Sequence, residues 1–203
     1  MIYAERPALA EPEGAVVLVH GRGANERDLL PLADRLDPDG RLHWYLPRGP
    51  LSLPPGGAHW YAVPRVGHPD PASFAEGFAA LAGFLDALPD ERLAIAGFSQ
   101  GAVMSFAVGL GGGRPRPAAV LSLSGFIPEV AGWELDGERP FPPVAIGHGT
   151  LDRVIPVEFA RSARTRLEAA GAEVLYRESP IDHTVDPAFL DELAPWLGGA
   201  LDG

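Results

Sequence analysis

Neither cysteine nor lysine occurs in this chain of 203 residues, so all 16 of its basic residues are arginine. Without cysteine there is no disulfide framework, no thiolate metal site and no cysteine nucleophile. Without lysine there is no Schiff-base lysine, no P-loop lysine and no Ser–Lys dyad. Any serine that this chain activates for chemistry must therefore rely on a histidine.

Positive charge is also scarce, since the net charge is −11 at pH 7. A negative surface repels phosphate backbones and anionic lipid headgroups, so we expect neither nucleic acid nor a stable membrane association. No apolar run approaches the roughly 18 residues of a membrane-spanning helix, and the first residues show no leader pattern. We therefore expect a soluble, cytoplasmic protein.

The length fits one domain over residues 1–203, and the share of hydrophobic residues, 46%, is typical of a folded chain. Apolar runs alternate with helical patterns, which predicts an α/β fold with a doubly wound, mostly parallel sheet and helices on both faces. The predicted strands are 15–19, 42–46, 92–96, 118–123, 144–148 and 173–177. The predicted helices include 26–36, begun by Asn25, together with 71–88, begun by Asp70, and 156–170 and 187–197. A Pro- and Gly-rich segment, 47–63, is predicted to be an irregular functional loop at one end of the sheet.

One serine stands between a predicted strand and a helix-like run, in Gly97-Phe98-Ser99-Gln100-Gly101. The glycines let the backbone bend sharply, so that the hydroxyl is exposed on the turn. This context is that of a G-x-S-x-G nucleophile elbow. A serine with only a turn-forming role is the alternative interpretation.

Candidate partners for Ser99 follow later strands. In α/β-hydrolases the chain order is Ser, Asp or Glu, then His, each on a loop after a strand. Asp152 and His183 fit this order, and His183 is the only histidine after the last predicted strand. Asp182 and Asp186 are rival carboxylates, but Asp182 adjoins His183 in sequence and would have difficulty reaching round to that ring.

Two backbone amides are candidates for holding the oxyanion of a tetrahedral intermediate. One is the N–H of Gln100, directly after the serine and at the start of a helix. The other is the N–H of Arg22 in the loop His20-Gly21-Arg22-Gly23, which follows an early strand. A Gly-rich turn without a role is the alternative for this loop, and His20 is expected to be a structural hydrogen-bonding residue.

Aromatic and apolar residues on loops are candidates for the walls of a substrate pocket, although packing roles are the common alternative. They are Trp60, Tyr61, Phe126 and Ile127, with Trp133 beside them. The Arg22 side chain has two interpretations. It is either a surface or ion-paired arginine, or a group at the mouth of the site that favours a carboxylate or phosphate on the substrate.

Taken together, four motifs resemble the phospholipase/carboxylesterase family of α/β-hydrolases, which includes bacterial carboxylesterases and acyl-protein thioesterases. They are Leu18–Gly23, Gly97–Gly101, His148–Asp152, and Asp182-His183-Thr184 before a helix that ends in Trp196-Leu197. The resemblance implies a compact hydrolase without a large cap domain and with Ser99, Asp152 and His183 as its triad. It also makes Trp60-Tyr61 similar to the family's aromatic pair beside the site. Arg22 departs from the apolar residue that is typical of the thioesterases, and Asp182 replaces a common glycine.

The expected activity is two-step hydrolysis of a small-molecule carboxylic ester, thioester or lysophospholipid through an acyl-enzyme, with no metal or organic cofactor. The sequence leaves open whether the protein forms a homodimer. One alternative is a dienelactone-type lactone hydrolase, whose usual nucleophile is the cysteine that this chain lacks. The other is a non-catalytic α/β-hydrolase that serves as a binding module, although such proteins generally lack a triad member.

Overall fold

The computed structural model describes residues 1–202, which are arranged around a seven-stranded sheet. The strands, in chain order, are β1 Tyr3–Arg6, β2 Ala15–Val19, β3 His43–Pro47, β4 Leu51–Leu53, β5 Gly57–His59, β6 Leu93–Phe98, β7 Ala119–Leu123, β8 Val144–Gly149 and β9 Val174–Ser179. The large sheet has the order β1-β3-β2-β6-β7-β8-β9, and β4 and β5 form a separate hairpin. All neighbours in the large sheet are parallel except β1 and β3, which are antiparallel.

Helices cover both faces of this sheet. They are α1 Leu30–Leu36, α2 Pro71–Asp86, α3 Gln100–Leu110, α4 Glu158–Ala169 and α5 Pro187–Asp202. Residues of α1 and α5 pack on one face, while those of α2, α3 and α4 pack on the other. Every residue of β2 and β7 is buried, which explains why β2 is a continuous apolar run and why β7 is apolar except for Ser122. The predicted doubly wound, mostly parallel α/β architecture is thereby confirmed.

The start of α1 differs from the prediction of a helix begun by Asn25. The Asn25 side chain accepts a hydrogen bond from the amide of Arg27 at 2.8 Å, and the Asn25 amide donates to Asp28 at 3.0 Å. These bonds close a local turn instead, and the helix begins only at Leu30. At α2 the prediction is confirmed, because the Asp70 carboxylate accepts the amide of Ser73 at 2.9 Å.

Two elements escaped the sequence patterns. The edge strand β1 has four residues with alternating partial exposure, which is too short and too polar to stand out. The segment 47–63, predicted to be irregular, contains the β4–β5 hairpin. The longest connection within residues 1–202 is 124–143, which holds no helix or strand, and no cap domain interrupts that part of the chain.

The topology brings several loops to one edge of the sheet. Val19 at the end of β2 pairs with Gly97 in β6, and Gly149 at the end of β8 pairs with Ser179 in β9. The carboxyl ends of these parallel strands therefore meet, which is where ligands bind in open α/β sheets. Among the helices of residues 1–202, none has both the length and the apolar character needed to cross a membrane.

Candidate active site

Ser99 occupies the turn between β6 and α3 in an unusual backbone conformation, with φ 56° and ψ −120°. A non-glycine residue at positive φ is costly and is typical of the strained nucleophile elbow. The Ser99 amide donates to the carbonyl of Leu123 at 2.8 Å, which holds the turn against the end of β7. The serine hydroxyl consequently stands at the carboxyl edge of the sheet.

Glycine is required around this turn because backbones meet there. A Cβ atom added to Gly101 would lie 1.9 Å from the carbonyl oxygen of Val19, and one added to Gly97 would lie 2.3 Å from the carbonyl oxygen of Gly101. A Cβ atom on Gly21 would lie 3.2 Å from the Cβ of Ser99. The loop after β2 therefore runs directly beside the serine.

Three side chains form a hydrogen-bonded chain, which we call the Ser99 cluster: Ser99, His183 and Asp152. Nε2 of His183 lies 2.8 Å from Oγ of Ser99, and Nδ1 of His183 lies 2.6 Å from Oδ2 of Asp152. The Asp152 side chain is fully buried, whereas the His183 side chain is 17% exposed. The arrangement can take a proton from the serine at one ring nitrogen while the carboxylate holds the other.

The Asp152 carboxylate is held at both oxygens. Besides the ring of His183 on Oδ2, the amides of Val154 and Ile155 each donate to Oδ1 at 2.8 Å. Burial raises the pKa of Asp152, but the hydrogen bonds from His183, Ile155 and Val154 outweigh burial, so the pKa lies below its ordinary value. The group is therefore charged at neutral pH and can stabilise an imidazolium.

The rival carboxylates bind elsewhere. Asp182 accepts the amide of its neighbour His183 at 2.8 Å, and Asp186 accepts the hydroxyl of Ser179 and the amide of Ala188. In the described residues neither carboxylate bonds to the imidazole ring, which leaves Asp152 as its partner.

The Gln100 amide is the first N–H of α3, and helix geometry gives it no acceptor within the helix. The positive end of the helix dipole reinforces this N–H as a donor to negative charge. The Gln100 side chain serves another purpose, since Oε1 accepts the amide of Trp60 and Nε2 donates to the carbonyl of Tyr61, both at 2.7 Å. These two bonds fix the segment that follows β5.

The loop that contains Arg22 is held from several sides. Nδ1 of His20 lies 2.7 Å from the carbonyl oxygen of Gly21, and Nε2 accepts the amide of Gly49 at 3.0 Å. Burial lowers the pKa of His20, so the ring is neutral and can donate at one nitrogen and accept at the other. The amide of Gly23 donates to Ala58, whereas the amide of Arg22 has no acceptor among residues 1–202.

A second histidine, His148, lies next to Asp152. Its Nε2 lies 2.8 Å from the carbonyl oxygen of Ile155 and 3.4 Å from Oδ2 of Asp152, and its side chain is fully buried. Burial lowers the pKa of His148, so it is neutral and donates to Ile155. It thus holds the backbone that supplies amides to Asp152. The spacing of four residues between His148 and Asp152 was the available sequence signal for this role.

A cavity of about 360 Å³ adjoins Ser99 and Gln100. Its apolar walls are Tyr61, Val63, Val66, Phe126, Val154 and Ile155, and Arg22 also lines it. Sequence reasoning missed the valines and Ile155, although Val154 and Ile155 follow Asp152 almost directly. No group of side chains within residues 1–202 has the composition of a metal site.

Two of the predicted pocket residues, Tyr61 and Phe126, line this cavity, but the others do not. Trp60 is fully buried and donates through Nε1 to the carbonyl of His20 at 3.0 Å. Ile127 packs in the core between α3 and α4, and Trp133 donates to the carbonyl of Ala107 away from the cavity. These three side chains pack in the fold around the site and do not line the cavity.

Known proteins similar to this chain include an acyl-protein thioesterase and an esterase. Residues 6–198 match the model of the phospholipase/carboxylesterase family. An acyl-protein thioesterase 1 from Yarrowia lipolytica is 28% identical over 178 residues, which cover 78% of each chain. The crystal structure of esterase PE8 has a TM-score of 0.80 and 26% identity, with 98% of both chains covered.

The acyl-protein thioesterase 2 of Zea mays has a TM-score of 0.76 over 98% of both chains, and at 24% identity this likeness shows the fold alone. Because the family model spans nearly the whole chain, the assignment does not depend on that structure. The family match supports an ester-cleaving hydrolase that acts on small molecules. The chain therefore belongs to the phospholipase/carboxylesterase family of α/β-hydrolases.

Proposed function

We propose that this protein hydrolyses carboxylic esters with Ser99 as nucleophile, His183 as general base and Asp152 as its orienting carboxylate. The observation that supports this most strongly is the continuous hydrogen-bonded chain from Asp152 through His183 to Ser99, at the mouth of an apolar cavity. A base within hydrogen-bonding distance of the serine, held in turn by a carboxylate, is the arrangement that nucleophilic catalysis by serine uses, and it supports this proposal.

In the first step Nε2 of His183 takes the Ser99 proton while Oγ attacks the ester carbonyl carbon. The carbon–oxygen bond of the leaving group then breaks, and the alcohol departs with the proton from Nε2. In the second step a water molecule loses a proton to Nε2 and attacks the acyl-enzyme. The acid leaves, and Ser99 regains its proton.

The negative oxygen of each tetrahedral intermediate would be held by the amides of Gln100 and Arg22. The Gln100 amide directly follows Ser99, and Arg22 lines the same cavity directly after Gly21, whose backbone approaches Ser99 closely. Other contacts already hold both backbone segments in place. Donors that need no rearrangement stabilise developing charge most effectively, and one such donor contributes about 3–4 kcal/mol in acyl transfer.

We further propose that the substrate's apolar part occupies the cavity beside Tyr61 and Phe126. Thioesters and lysophospholipids would pass through the same acyl-enzyme, and the thioesterase name of the Yarrowia lipolytica relative adds support for a thioester. A cytoplasmic location would suit such substrates.

Two separate measurements test the proposal: labelling with a fluorophosphonate probe, and hydrolysis of a p-nitrophenyl ester by the unlabelled protein. We expect the probe to label wild type at Ser99, and Ser99→Ala to lose labelling and at least about 1,000-fold in kcat. Equal labelling of Ser99→Ala, or hydrolysis that it retains in full, would overturn the assignment.

Ser124 provides the matched control. It also has a positive φ, 55°, directly after a buried strand, but its hydroxyl is buried and has no hydrogen-bond partner among residues 1–202. Because no base contacts that hydroxyl, Ser124→Ala should label like wild type. If Ser124→Ala lost labelling and Ser99→Ala kept it, the reactive hydroxyl would belong to Ser124 and the assignment to Ser99 would be wrong.

A further inference from the structure

Ion pairing of the arginines is uneven across this acidic protein. Most of them lie within 4.0 Å of a carboxylate, as Arg6 does with Asp37 and Arg48 with Glu26. Four arginine side chains have no ion pair or hydrogen bond with any part of the chain that the structure describes. They are Arg22, Arg27, Arg65 and Arg153.

Three of these four belong to the segments that form the cavity beside Ser99. Arg22 itself lines the cavity, Arg65 lies between the lining residues Val63 and Val66, and Arg153 directly precedes the lining residue Val154. All three arginines are exposed. We call Arg22, Arg65 and Arg153 the arginine rim.

Two carboxylates lie beside one rim residue, but neither pairs with a rim guanidinium. Asp152 is buried and accepts His183 and two backbone amides, while Asp182 accepts the backbone amides of His183 and Arg153. No ion pair within residues 1–202 therefore neutralises a rim guanidinium, although the chain as a whole carries −11. Unpaired charges of one sign around a cleft raise the local concentration of ligands of the opposite sign.

We infer that the natural ester carries an anionic group, a carboxylate or a phosphate, which the arginine rim binds while the apolar part of the ester occupies the cavity. Guanidinium groups suit this role because their parallel N–H donors match carboxylate and phosphate oxygens. This inference rests on the proposed esterase function and names the substrate class for the same site.

Matched substrates that differ only in charge test the inference. One pair is mono-p-nitrophenyl glutarate and p-nitrophenyl pentanoate, which have equal chain length; the other is a monoacylglycerol phosphate and the same monoacylglycerol. The readout is the ratio of kcat/KM for the anionic and neutral members. The two pairs distinguish a carboxylate in the acyl group from a phosphate in the leaving alcohol.

We expect wild type to prefer the anionic member of at least one pair, and added salt to reduce that preference. Arg22→Ala should lower the ratio about three-fold, and Arg22→Glu about ten-fold or more, because a like charge then faces the anion. Arg65→Ala and Arg153→Ala should lower it by smaller factors. The ratio is used because it cancels any effect of Arg22 substitution on the oxyanion amide.

Arg27→Ala is the control, since Arg27 is also exposed and unpaired but does not adjoin a cavity-lining segment. It should leave the ratio unchanged. If wild type hydrolyses the neutral esters but prefers neither anion, or if Arg22→Ala and Arg27→Ala have equal effects, the inference fails while the esterase proposal stands. If wild type hydrolyses no ester of either pair and Ser99 takes no probe, the esterase proposal itself fails.

Discussion

The Ser99 cluster and the arginine rim lie side by side, yet they are held in place by different forces. In the cluster every side-chain oxygen and nitrogen is hydrogen-bonded, and the backbone that carries Ser99 packs against β2 without space for a single Cβ atom. In the rim the side chains are exposed and have no partner among residues 1–202. Changes in the cluster should therefore alter chemistry and folding together, whereas changes of the rim side chains should mainly alter the choice of substrate.

The largest expected effect comes from adding one methyl group under the serine turn. Gly101→Ala would force its Cβ to within 1.9 Å of the Val19 carbonyl oxygen, where only backbone could yield. We expect a loss of about 3 kcal/mol or more in the free energy of unfolding, measured with urea, together with loss of ester hydrolysis.

Gly83→Ala is the matched control for this prediction, because no atom lies within 4 Å of its added Cβ and Gly83 is an exposed residue of α2. Helix propensity predicts a gain of about 0.5–1 kcal/mol there. Wild-type stability in Gly101→Ala would show that the cluster is less tightly supported than the contrast requires.

The second largest effect separates the two candidate carboxylates. Asp152→Asn should lower kcat for ester hydrolysis about 1,000- to 10,000-fold, because the amide cannot stabilise the imidazolium and favours the wrong tautomer. Asp182→Asn should cost less than about ten-fold, since its amide oxygen can still accept the His183 N–H, a single peripheral bond. Similar losses in the two variants would reject Asp152 as the orienting group.

The same contrast explains what the sequence could predict. Ser99, Asp152 and His183 could be predicted because the alternation of strands and helices determines which loops lie at the same edge of the sheet. The G-x-S-x-G motif then selects the serine, and the chain order selects its two partners. The glycines at 97 and 101 also indicated the sharp turn at the serine, since backbones approach so closely there that no larger residue fits. The fold and the candidate chemistry thus followed from local patterns.

The lining of the cavity could be predicted only in part. An apolar loop residue such as Trp60 or Ile127 has the same pattern whether it fills the core or lines a pocket, and here both fill the core. The lack of partners for Arg22 likewise depends on where distant carboxylates lie, which no local pattern records. Asn25 shows the reverse case, in which a strong helix-start signal was satisfied by a tighter turn.

The smallest expected effect concerns pH, and it separates buried from exposed charge. His148 contacts the Ser99 cluster at Asp152, and burial lowers its pKa. The unfolded chain therefore takes up a proton at this residue near the ordinary histidine pKa of about 6.5, whereas the folded chain does not. The free energy of unfolding should therefore fall as the pH is lowered from about 7 through 6.5, and this loss should stop below the folded pKa. In His148→Gln, whose amide can still donate to Ile155, the fall should be shallower but not absent, because His20 is buried in the same way. Arg153→Gln at the exposed rim should retain the wild-type slope, and an unchanged slope in His148→Gln would show that its burial does not couple folding to pH.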